Sequence, residues 1–172
     1  GQFLAIRDVI AWLNVGLAGF VLAAVAMRFV LPAVSLEGGA FWIVASSPAS
    51  RRSYVLRKLA FFLPAMLAFA TALVWLSGSA LHVDRATHLV SLGLAVLVTG
   101  TLTTMAVGLG AALPSFKLEN PAQFVLTGGG LLYGLAALVY VVAVTALHAR
   151  PFFWRVLVKA GMMPAADARP LP

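Results

Sequence analysis

The sequence predicts an all-α, polytopic transmembrane helix bundle of about four spans with a short interfacial helix on its cytoplasmic side. Three observations predict it. Of the 172 residues, 62% are hydrophobic and only 10% charged, where soluble domains run near half apolar and a quarter charged. Mean hydropathy is +1.01, so there are too few polar side chains to cover a water-facing surface. Four stretches each reach the roughly 20 mostly apolar residues needed to cross a hydrocarbon core of about 30 Å.

The expected spans are Val9–Leu31, Leu59–Leu76, Leu89–Leu113 and Phe124–Leu147. The first is bounded by Arg7 and Asp8, holds Asn14, and carries Arg28 near its end. The second contains nine Leu, Phe and Val residues, worth roughly −3 to −5 kcal/mol of insertion free energy, with no charge to oppose them. A central arginine would cancel most of that at about +3 kcal/mol, and no span carries a charge near its middle. Pro64 should kink the second span. Residues 1–147 thus read as one transmembrane domain, and 148–172 as a basic, proline-containing tail.

The net charge is +7, with 12 Lys and Arg against 5 Asp and Glu. The basic residues sit between apolar runs, a pattern of membrane topology and phospholipid contact rather than of nucleic acid binding. The connection from Arg28 to Lys58 holds five basic residues and one acid, Glu37, which places it on the cytoplasmic side. Ser77–His88 is then external and Pro114–Gln123 internal. Alternation sends the tail, with Arg150, Arg155, Lys159 and Arg169, outside against the rule. A missing further span would return it. The chain begins at Gly1 with no visible signal peptide, and we expect it to be a piece of a longer polypeptide.

Within the first connection, Ser35 can cap a helix with Glu37 in its first turn. That helix, Leu36–Val44, would lie at the membrane surface with Phe41 and Trp42 at headgroup level. Ser47-Pro48 reads as a second helix start, leading through Arg51 and Arg52 into the second span.

The sequence offers little chemistry. The absence of cysteine excludes disulfides and thiolate sites. No lysine follows a glycine, so the G-x-x-x-x-G-K-[ST] phosphate loop is missing. Ser77 and Ser79 lack a G-x-S-x-G setting. His82, Asp84 and His88 lie off metal-ligand spacing and read as a solvated loop. The chain is expected to be no enzyme, with no cofactor and no metal. Asn14, Thr99 and Thr103 are candidates for a polar path, against the alternative of helix packing. Gly128, Gly129, Gly130 and Gly134 read as close packing or as a hinge.

Two segments carry a resemblance. Arg28-Phe29-Val30-Leu31-Pro32-Ala33-Val34-Ser35-Leu36-Glu37-Gly38, continuing through Phe41-Trp42 to Ser46-Ser47-Pro48, is the first. Gly108-Leu109-Gly110-Ala111, followed by Leu113-Pro114-Ser115-Phe116-Lys117-Leu118-Glu119-Asn120-Pro121, is the second. Together they resemble a family of permease subunits of bacterial ATP-binding-cassette exporters, over roughly Ala18 to Tyr140. This chain departs from it with Gly39 and Ala45, where basic residues are expected.

The resemblance implies the C-terminal portion of a permease in the bacterial inner membrane, coupling ATP hydrolysis by a separate ATP-binding subunit to substrate movement. Glu37, Phe41, Trp42, Arg51, Arg52, Phe116, Lys117, Glu119 and Asn120 would be the coupling contacts. The partners would be that ATP-binding subunit, membrane lipids, and the rest of the permease bundle or a second copy. The basic residues alone also fit headgroup binding, and a non-transporting assembly or anchoring subunit would show the same spans.

Overall fold

The computed structural model describes residues 2–40, 46, 50–82, 85–115 and 121–159. Among them there is no strand, and four helices are long and apolar enough to cross a membrane. The main helices are α1 (Gln2–Val25), α2 (Arg51–Ala80), α3 (Arg85–Ala112) and α4 (Gly128–Lys159). The described parts of the two longer connections, 26–40, 113–115 and 121–127, lie together at one end of the bundle, and residues 81–82, which follow α2, lie at the other.

Most boundaries run past the apolar cores that the sequence marks. α2 begins eight residues before Leu59, because Ser50 accepts a hydrogen bond from the Ser53 amide at 3.2 Å and satisfies a free helix-end donor. Ser47 and Pro48 lie outside the described residues. Pro64 sits inside a helix that continues from Arg51 to Ala80. α4 starts at the triple glycine, where the Thr127 hydroxyl accepts from the Gly130 amide at 3.3 Å, and it continues through Lys159 into the expected tail.

The first helix ends in an unexpected way. Ala26–Val30 widens into a π-turn and Leu31–Ala33 tightens into a 3-10 turn. Pro32 has no amide to give the carbonyl four residues back, and the Leu31 amide reaches instead to the Ala26 carbonyl, five residues back. A second 3-10 segment, Ser35–Ala40, takes the place of the start of the expected surface helix, and it is interrupted at Gly38, with φ 47° and ψ −124°. Residues 41–45 lie outside the described residues.

α3 is the centre of the bundle, packing on α1, α2 and α4. Its buried residues, among them Ala95, Val98, Leu102, Ala106 and Gly110, recur every three or four positions and form one stripe. Leu22, Ala26, Leu31, Met66, Ala70 and Tyr133 complete the main core. α1 and α4 approach through small residues: Gly16 faces Thr145, and Gly19 faces Val141. Glycine, with no side chain, lets the two helix backbones approach closely at these positions.

Candidate functional site

The end of the bundle that carries the two longer connections is tied by a polar clamp. Tyr54 and Lys58 stand one turn apart on α2 and so share a face. Lys58 Nζ lies 2.7 Å from Glu37 Oε1, and the Tyr54 hydroxyl donates to Glu37 Oε2 at 2.6 Å. The same ammonium donates to the Ala33 carbonyl at 3.3 Å and lies 5.7 Å from the Tyr54 ring centroid. Both ion-pair side chains are 24% exposed. The pair is therefore charge-assisted and partly shielded from water.

A second tie joins the two segments that carry the resemblance. The buried Ser35 hydroxyl accepts from the Ser115 amide at 3.0 Å, across 80 positions of sequence. Sequence reasoning assigns Ser35 a helix-capping role, whereas here it holds the end of α3. Just inside, Gly110 lies against the Leu31 backbone, where a Cβ would overlap the carbonyl oxygen. Only glycine permits that approach.

Of the expected coupling contacts, Glu37 is turned inward onto α2. Arg51 and Arg52 are exposed on its first turn, with no ion pair among the described residues. Phe41, Trp42, Phe116, Lys117, Glu119 and Asn120 lie outside the described residues. Tyr54 and Lys58 were missed as partners of Glu37. A lone acid among five bases, with Tyr and Lys one turn apart downstream, was the available signal.

Asn14, Thr99 and Thr103 are not brought together. Asn14 Nδ2 donates to the Ser77 hydroxyl, joining α1 to α2 at the other end of the bundle. Thr99 is fully buried and donates to its own helix at the Ala95 carbonyl, at 2.6 Å. Thr103 is fully buried, and its hydroxyl has no partner among the described residues. Thr101 and Thr104 point outward and bond to the carbonyls of Leu97 and Gly100. His88, expected in a solvated loop, sits in the first turn of α3 with its ring against Gly78. Asp84 lies outside the described residues, among which no group of three His, Asp or Glu is arranged for a metal ion.

A family model described as "Putative ATP-binding cassette" matches residues 2–169. The chain belongs to this ATP-binding-cassette family. No curated protein and no solved structure matches it.

Membership makes this protein a component of an ATP-binding-cassette transporter, a system with partner subunits, and it corrects two expectations. The first is the resemblance to a permease subunit set apart from the ATP-binding one: the matching family is described by ATP binding itself. The second is that the chain is no enzyme, since an ATP-binding cassette implies ATPase activity. Both expectations leaned on short stretches. The missing Gly-Lys step tests one contiguous way of cradling a phosphate, whereas the family match is carried by the pattern of 168 positions from 2 to 169.

Proposed function

We propose that this ATP-binding-cassette protein is set into the bacterial inner membrane by its four apolar helices, and that its clamped end passes nucleotide-driven movement to them. The membrane part of the reading is supported by what the bundle leaves uncovered. Phe61, Leu97, Leu135, Val139 and Leu147 are each more than 60% exposed, a burden of apolar surface that suits lipid and not water. ATP binding comes with the family's description.

The single observation that carries the coupling role is the clamp. Glu37–Lys58, Ser35–Ser115 and Gly110–Leu31 tie the connections at one end directly to α2 and α3. A push on that end therefore moves whole helices rather than a slack loop. Arg51 and Arg52 offer exposed charge beside the clamp, and Phe41, Trp42, Phe116, Lys117, Glu119 and Asn120 flank it in sequence. These residues would carry the contacts through which nucleotide-driven movement reaches the clamp.

The chain has no cysteine, so Leu36→Cys, at an exposed position, gives a single labelling site. In inverted vesicles an impermeant thiol reagent should reach it, and in right-side-out vesicles it should not. With the transporter purified together with its partner subunits, a fluorophore at that site should change its emission on adding ATP. Labelling from the outer face would overturn the orientation, and emission indifferent to ATP would overturn the coupling role and favour a passive anchor.

A further inference from the structure

At the end of the bundle opposite the clamp, α1, α2 and α3 enclose a small cavity lined by Asn14, Ser77, Gly78, His88 and Ser91, with Leu73 and Val74 as apolar walls. The cavity is open on one side, and its sheltered part, about 20 Å³, has room for one water-sized group. Among the described residues no Asp, Glu, Lys or Arg lines it. Gly78 creates the space for the histidine: a Cβ there would overlap the ring at Nδ1 and Cε1.

The unspent hydrogen-bonding capacity of this lining can be counted. Ser77 accepts from Asn14, which leaves its own O–H free to donate. Ser91 donates to the Thr87 carbonyl at 2.9 Å, which leaves its oxygen free to accept. The Asn14 carbonyl oxygen is an acceptor, and a neutral His88 ring supplies one donor and one acceptor. None of these remaining positions is filled among the described residues.

We propose that this cavity binds the hydroxyl group of an uncharged amphiphile whose apolar chain leaves through the open side, past the half-buried Leu73 and Leu81. A hydroxyl both donates and accepts, which matches a lining that offers both. A phosphate headgroup would find no lysine or arginine among the described lining residues, and a bare alkane would leave the polar lining unpaired, which is costly in a dry site.

The test uses the full chain in phosphatidylcholine nanodiscs and a long-chain primary alcohol carrying a diazirine near its hydroxyl end. The control probe has a methyl group in place of the hydroxymethyl. Irradiation should label residues 73–91 from the alcohol at least fivefold more than from the control, and unlabelled hexadecanol should compete. Asn14→Leu and His88→Leu should each lower labelling about fivefold, the loss of one hydrogen bond. His88→Gln, which keeps a donor and an acceptor, should retain most of it. Gly78→Ala should lose it by displacing the ring, while Gly93→Ala, in open space, should not. Far-ultraviolet circular dichroism checks that each variant folds. Equal labelling by the two probes, or labelling unaltered in both leucine variants, would overturn the proposal and leave a water-filled packing defect.

Discussion

Gly110 and Leu31 meet backbone to backbone: a Cβ on the glycine would overlap the leucine carbonyl oxygen and lie 3.2 Å from its carbon. Gly110→Ala should therefore destabilise the bundle by about 1–3 kcal/mol, the usual range for overpacking where the neighbour is main chain and cannot swing aside. Gly100 faces open space, so Gly100→Ala gains helix propensity of about 1 kcal/mol without a clash. Thermal melts of helicity in detergent should show the first variant melting below wild type and the second at or above it. A Gly110→Ala protein that melts like wild type would remove close approach as the reason for that residue.

Much of this was legible in the chain, and the reasons for the rest are physical. Apolar runs without central charge located the four long helices, because transfer energetics depend on composition summed over about 20 residues. Their ends were not legible. Ser50 caps α2 well before its apolar run, and Pro32 reshapes the end of α1 through a missing amide whose effect depends on what lies alongside. The ties from Ser35 to Ser115 and from Glu37 to Lys58 are long-range, so no local spacing announces them. Hydropathy alone leaves His88 in a loop, because the apolar run begins at Leu89, whereas α3 begins at Arg85. The ATP-binding family is a property of the whole pattern, and a search for one phosphate loop could not reach it.

Thr99 and Thr103 should respond oppositely to the same change. Thr99→Val removes a hydroxyl bonded within its own helix and should cost about 0.5–1 kcal/mol at most. Thr103→Val removes a fully buried hydroxyl with no partner among the described residues, and should stabilise by about 1–2 kcal/mol because its desolvation is no longer uncompensated. Unfolding of the two purified variants in mixed micelles decides the matter. A destabilised Thr103→Val would mean that the hydroxyl has a partner beyond the described residues.

Hydrogen exchange reads the tie between Ser35 and Ser115. In Ser35→Ala the Ser115 amide loses its acceptor, so local opening becomes easier by about 1 kcal/mol, close to fivefold in protection. Amides in the middle of α3 should keep wild-type protection. Loss of protection along the whole helix would show that the bond supports the fold rather than one junction.

Gly38 isolates a backbone effect. Its φ of 47° and ψ of −124° lie outside what side-chain-bearing residues adopt, and nothing among the described residues stands within 4 Å of an added Cβ. Gly38→Ala should thus cost about 1–3 kcal/mol through strain alone. D-alanine at this position, introduced by semisynthesis, should recover most of that stability. If the D- and L-residues melt alike, the turn has rearranged and the strain is absent.

Charge reversal separates holding the clamp from contacting a partner. Glu37→Lys would set two ammonium groups against each other and remove the acceptor of the Tyr54 hydroxyl. With the site 24% exposed, screening limits the cost to about 2 kcal/mol. Glu37→Gln keeps an acceptor for Tyr54 and should cost about 1 kcal/mol. Arg52 is exposed with no ion pair among the described residues, so Arg52→Glu should leave stability within about 0.5 kcal/mol of wild type. Its effect should appear instead as ATP turnover that no longer drives the emission change at position 36. Lost stability in Arg52→Glu would make the arginine part of the clamp, and coupling kept intact in that variant would remove Arg52 from the contact surface. The Glu37 variants cannot make this distinction, because the carboxylate is already engaged within the chain and its loss disturbs the fold before any partner is met.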